Sequence, residues 1–172
     1  MLKILIAGLM GLTLGIFAAP FAFYQESQPE QPIVVYELPP LVKITPESVL
    51  AATNASRALE GLKPLRNDPM LDQVAKTRAE DMVARHYFSH IDPDGQRTFD
   101  ILKVSDYMFL DFGENLAVAF HDATTMQQAW VASDGHRANI LNTGFTRSGV
   151  GVATGDFHGQ PDIIYVVQLF AN

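Results

Sequence analysis

There is no cysteine in the 172 residues. That absence excludes a disulfide scaffold and thiol catalysis, and leaves the fold to rest on its apolar core. Positive charge is scarce, with 12 Lys and Arg against 19 Asp and Glu, for a formal net charge of −7. From Pro46 to the end the balance is 10 against 16, or −6. An acidic chain lacks the basic footprint that non-specific nucleic-acid binding requires, and it is not drawn by charge to anionic headgroups. Internal repeats and low-complexity blocks are missing as well. Charge is absent altogether from Ile4 to Phe23, a run of 20 residues preceded by Lys3.

That run is long enough to cross a bilayer as a helix. A cleaved signal peptide is the rival, because its apolar region is usually shorter and ends in an A-x-A-like site. Cleavage after Ala22 would put Pro20 at the minus-three position, and cleavage after Ala19 would put Phe17 there. Both fit poorly, so a retained anchor is favoured, and either way the remainder is placed outside the cytoplasm. The organisation read here is residues 1–24 as membrane anchor or signal peptide, 25–45 as a Pro-rich linker and 46–172 as one folded domain. The linker holds Pro29, Pro32, Pro39 and Pro40. Its "IVVYEL" leaves open a short edge strand.

Thr45 followed by Pro46 is a helix start, with Gly61 as the stop after a helix ending near Leu59. Asp68 and Pro69 repeat the signal. The apolar residues Leu71, Val74, Ala75, Ala79, Met82 and Val83 then recur at helical spacing to about His86. Shorter helices are expected at 99–104, 124–133 and 136–141. Strands are expected at 113–120, 148–154 and 163–170, the last two joined by a longish hairpin loop. The final strand is apolar on both faces, as a covered strand is. Helices first and strands last predict an α+β fold: a small antiparallel sheet between helical layers, with helix 69–86 burying Leu71, Ala75, Met82 and Val83 on one face.

Five histidines are present. His121 and His158 lie in polar, turn-like surroundings and read as surface, and His86 reads as a solvated helix end. His90 and His136 each sit at a junction of elements with a glycine nearby, and Glu114 opens an otherwise apolar strand between them. "DPDG", 92 to 95, reads as a β-turn, since the positions a calcium loop would need for carboxylates fall on His90 and Ile101. "NAS", 54 to 56, matches a glycosylation sequon but falls inside a helix and is read as structural.

"NASRALEGLKPL", "YFSH" with "PDG", "GENLA", "WVASDGHRANIL" and "GVGVA" occur in that order. Together they resemble the bacterial branch of the CAP superfamily (the SCP domain of cysteine-rich secretory proteins, antigen 5 and pathogenesis-related 1 proteins). The likeness spans about 49–171. It implies a three-layer α-β-α sandwich with a cleft to which His90, Glu114 and His136 are matched. A second acid often found three residues after the tryptophan is Ser133 here. Asp134 stands where bacterial relatives commonly carry proline, and the simpler reading of it is a solvent-facing turn. Ser133, Asp134 and Asn115 are the secondary candidates.

The resemblance also implies that His90, Glu114 and His136 could share a divalent metal such as Zn²⁺, two His and one Glu with an open position being a known zinc pattern. Glu114 would then favour the imidazolium of the metal-free rings and raise their titration. The leading expectation is a binding or interaction module for a small molecule, a lipid or a cell-surface partner, held at the membrane by its N-terminal segment. A metal-dependent or His/Glu-assisted hydrolase is the alternative, and a purely structural domain the third.

Overall fold

The computed structural model describes residues 41–104 and 107–172. The expected N-terminal anchor and the linker up to residue 40 lie outside them. Among the described residues no helix is long and apolar enough to cross a membrane.

The first helix, α1 (Pro46–Leu59), begins as its sequence predicts. Thr45 accepts from the Ser48 amide at 3.2 Å, and Ser48 Oγ accepts from the Thr45 amide at 2.9 Å, so two amides left over by the helix start are satisfied reciprocally. Past its end, Gly61 takes φ +69°, the left-handed conformation glycine adopts freely. The second helix, α2 (Pro69–Ala84), is capped by Asp68, whose Oδ1 accepts from the amides of Met70 and Leu71. Then come α3 (Thr98–Val104), α4 (Ala123–Ala132) and α5 (Asp134–Leu141).

The sheet has four strands: β1 (Arg66–Asn67), β2 (Phe112–Val118), β3 (Arg147–Phe157) and β4 (Gln160–Ala171), in the order β1-β3-β4-β2. The three expected strands share one sheet and pair antiparallel, with Glu114 opposite Leu169 and Gly151 opposite Val167. The two-residue β1 is an addition. It pairs parallel to β3 at Arg66↔Arg147 and Asn67↔Ser148, which makes the sheet mixed. Just past β1, the Val150 amide of β3 donates to Asp72 Oδ1 at 2.7 Å, so α2 supplies the acceptor that the short edge strand does not.

The expected long hairpin loop is instead a two-residue turn, His158–Gly159, with φ +53° and +82°. Positive φ at both central residues matches the right-handed twist of the flanking strands, which lets pairing run on to Phe157↔Gln160.

β4 divides the core. Tyr165, Val167 and Leu169 pack with Leu71, Ala75, Ala79, Met82 and Leu102 on the α2–α3 side. Val166 and Phe170 pack with Val49, Met126, Trp130 and Ile140 on the side of α1, α4 and α5. The result is the expected helix–sheet–helix layering. On β3 the strand alternation sets Val150 and Val152 against the second layer and Gly149, Gly151 and Gly155 against α2. A Cβ at Gly151 would lie 2.1 Å from the Ala75 carbonyl carbon, so glycine there lets α2 lie directly on the strand. Of the α2 residues expected on this face, Leu71, Ala75 and Met82 are fully buried and Val83 is half-buried.

Candidate functional site

Helix α2 stops at Ala84, six residues before His90, rather than near His86. After the capping residue Arg85, His86 takes φ +54° and the chain runs on without helix. The "DPDG" stretch is a turn, as its sequence indicates. Asp92 Oδ1 accepts from the Asp94 and Gln96 amides, Gly95 takes φ +83°, and an isolated bridge joins Ile91 to Arg97. Beneath this loop lies Arg78, 2% exposed. It donates from Nη2 to the Ser89 carbonyl at 3.3 Å, and its Nη1 lies 3.7 Å from Asp92 Oδ2. Sequence reasoning passed over Arg78 because it sits in a helix among apolar residues. A buried guanidinium needs acceptors, and here the loop provides one hydrogen bond and one carboxylate, while Nε and Nη1 make no hydrogen bond among the described residues.

Glu114 lies on the edge strand β2, on the face shared with Leu116. Its side chain is 8% exposed, yet both oxygens are engaged. Oε1 accepts from His90 Nδ1 at 2.6 Å, and Oε2 accepts from the hydroxyl of buried Thr98, the first residue of α3. His90 is itself 57% exposed. Two of the three expected cleft residues thus meet, and Thr98 joins them without having been singled out.

His136 approaches differently. Strand alternation sends Asn115 to the face opposite Glu114, and there it holds α5. Asn115 Nδ2 donates to the His136 carbonyl at 3.2 Å, while Asn139 Nδ2 donates to Asn115 Oδ1 at 2.8 Å. The His136 ring packs against Trp130, centroids 6.1 Å apart, and makes no hydrogen bond to Glu114. Burial lowers its pKa below the usual imidazole range, and the nearby His90 lowers it further. The expectation that Glu114 would raise both histidines is therefore reversed at His136, because burial outweighs a carboxylate already paired elsewhere.

Among the described residues, no group of three or more His, Asp or Glu side chains is placed to hold a metal ion. In this arrangement Glu114 orients His90 rather than offering a ligand oxygen. As placed, the three side chains do not fit a three-ligand ion, because both Glu114 oxygens are already hydrogen-bonded. Asn115, a secondary candidate, is buried and structural in its contacts. Ser133 links α4 and α5 with no side-chain cap bond. Asp134 faces solvent as expected, 93% exposed, but it is the first residue of α5 rather than a turn, and it pairs with Arg137 at 2.5 Å.

Beside the His90–Glu114 pair opens a groove of about 600 Å³. Its polar lining includes His90, Glu114, Thr98 and Arg97, and its apolar lining Ile91, Phe99 and Phe112. Phe99 and Phe112 belong to an aromatic cluster with Phe109 and Tyr107. These wall residues were invisible in the sequence, where they look like ordinary core aromatics.

The profile of the CAP family, described as the cysteine-rich secretory protein family, matches residues 50–170. The uncharacterized protein YkwD of Bacillus subtilis is 38% identical over 113 residues, 66% of this chain and 44% of that protein. YlbC, an uncharacterized membrane protein of the same organism, is 35% identical over 62% of this chain and 31% of its own length. The chain thus spans less than half the length of these relatives. Among solved structures, an extracellular protein containing a SCP domain from Bacillus anthracis is similar at a TM-score of 0.62 and 32% identity, over 74% of this chain and 40% of that one. An outer surface protein of Borrelia burgdorferi shares the fold at a TM-score of 0.61 and 23% identity, over 77% of this chain and 98% of that one.

Proposed function

This chain belongs to the CAP family of cysteine-rich secretory proteins, and from that premise we propose that it is an extracytoplasmic binding module whose groove takes a small amphipathic ligand such as a lipid. The observation that carries the reading is the groove's mixed lining. A carboxylate–imidazole pair and Arg97 line the same groove as Ile91, Phe99 and Phe112, whose side chains give it an apolar wall. An apolar ligand body gains by leaving water along that wall, and its polar head finds hydrogen-bonding groups already in place. His90, 57% exposed, and Arg97 present them, while Glu114, backed by Thr98, holds His90 in place. The extracytoplasmic placement is supported by the uncharged N-terminal run and by relatives described as extracellular or membrane proteins.

Displacement of a fluorescent fatty acid from the protein tests this. Ile91→Glu, at an exposed position on the apolar wall, should weaken binding about tenfold or more while leaving the circular dichroism spectrum unchanged. Equal binding by wild type and Ile91→Glu would sink the reading.

One observation favours a second reading, a hydrolase that activates water. Glu114 holds His90 through Nδ1, as a base is oriented by a carboxylate, which leaves the other ring nitrogen available. A Glu114→Gln variant would then lose any ester or peptide hydrolysis seen with wild type, and activity surviving in that variant would rule the pair out as the base.

A further inference from the structure

A second cavity, of about 460 Å³, opens where the tip of the β3–β4 hairpin meets the chain leaving α2. It shares no lining residue with the groove beside Glu114. Three of its walls are aromatic. Phe88 and Phe157 have centroids 6.4 Å apart at 77°, Phe88 and Tyr165 are 6.3 Å apart at 66°, and Phe157 and Tyr165 are 5.9 Å apart at 86°. Three rings so steeply inclined to one another stand like the walls of a corner. The fourth element is Asp156. Its backbone carbonyl accepts from the Tyr165 hydroxyl at 2.8 Å, and its Oδ1 accepts from the Gly159 amide at 3.0 Å, which fixes the carboxylate and leaves Oδ2 without a partner among the described residues. His86 and His158 complete the rim, and among the described residues no Lys or Arg lines the cavity.

We propose that this cavity binds a small organic ammonium cation, with the charged nitrogen held against Phe88 and Phe157, the buried Tyr165 packed behind them, and Asp156 as its counter-ion. The negative faces of aromatic rings attract a cation whose hydration shell is weak, and a trimethylammonium group also buries its methyls against them. The carboxylate adds charge complementarity where no lysine or arginine of the lining competes for it. An anion would meet Asp156 and the aromatic lining and be repelled. A neutral apolar molecule would fill the space but leave the carboxylate desolvated and unpaired.

The full-length chain in a non-ionic detergent is titrated with choline, with glycerophosphocholine, and with 3,3-dimethyl-1-butanol, choline's neutral isostere, while aromatic side-chain NMR shifts are followed. Choline should give saturable shifts of the Phe88, Phe157 and Tyr165 resonances, with the neutral isostere at least about tenfold weaker. Asp156→Asn and Phe88→Leu should each weaken choline about tenfold; Phe88 is 37% exposed, so its replacement leaves the fold in place. His90→Ala should change nothing. Glycerophosphocholine binding as well as choline assigns the site to a lipid or polymer headgroup, and binding of choline alone assigns it to a free cation; both outcomes support the proposal. Equal affinity for the neutral isostere, no saturable shift at about 50 mM choline, or loss of binding in His90→Ala would each overturn it. Because the groove variant Ile91→Glu lies outside this cavity, failure here leaves the proposed function standing, and the converse holds as well.

Discussion

His136 sits where burial and a neighbouring imidazole both disfavour its cationic form. Its pKa is therefore lower in the folded chain than the usual value near 6.5. The unfolded chain takes up a proton first as pH falls, so this group's contribution to stability is fully present above about 6.5 and is lost as pH drops from there through the depressed folded value. Trp130 is the single tryptophan and lies against the ring, so its fluorescence should report the titration directly. A midpoint below about 6.5, absent in His136→Gln, is expected; a midpoint above it would mean that Glu114 reaches the ring after all. Arg57 offers a second residue-scale test. Its guanidinium donates to the carbonyls of Lys63, Ile140 and Asn142 at 2.8–2.9 Å, binding α1 to the end of α5, and burial lowers its pKa. Arg57→Met should cost on the order of 3 kcal/mol in urea unfolding, since several buried acceptors lose their donor. A cost under about 0.5 kcal/mol would show that water replaces the side chain there.

Between α2 and β3 the fit is set by glycine. The backbone of Ala75 occupies the space a Cβ at Gly151 would need. Gly151→Ala must push helix and strand apart and should destabilise by about 1–3 kcal/mol or more. Gly135→Ala makes the matching control, because it lies in the first turn of α5 with open space around it. There alanine should be neutral or stabilise by about 0.4–1 kcal/mol. Equal effects of the two changes in thermal unfolding would refute the close approach. Leu71, fully buried on the same helix, should cost about 2–5 kcal/mol when cut to alanine.

For the whole molecule, the uncharged run from Ile4 to Phe23 predicts where the chain resides. The full chain should sediment with membranes and resist extraction by high salt, while a version lacking residues 1–24 should be soluble and unfold at the same temperature. A mature N-terminus near Phe23 to Gln25 would show instead that the run is cleaved as a signal peptide. The acidic balance of the folded part, −6 from Pro46 onward, argues against charge-driven docking on anionic lipid as a second tether.

Local chemistry made much of this protein legible in advance. Thr45–Pro46 and Asp68–Pro69 start helices because the capping and φ restraints act within a few residues. The two apolar faces of β4 announce a strand covered on both sides, because period-two alternation maps sequence directly onto faces. The shared cleft expected for His90, Glu114 and His136 rested on resemblance to the CAP superfamily rather than on any local rule, and of the three the structure pairs His90 with Glu114. What no local rule contains is which groups a side chain meets from distant parts of the chain. Thr98 became a site residue, and Arg78 a support beneath the loop, only through the path of the 85–97 segment. Alternation on β2 turned Glu114 to His90 while Asn115 held α5, which separated His136 from the carboxylate. The strand at 148–154 was legible, but not that its glycines let α2 lie directly on it. Phe88, Phe157 and Tyr165 are ordinary aromatic residues in the sequence, and only the meeting of a helix exit with a hairpin tip packed their rings together beside a cavity that Asp156 also lines.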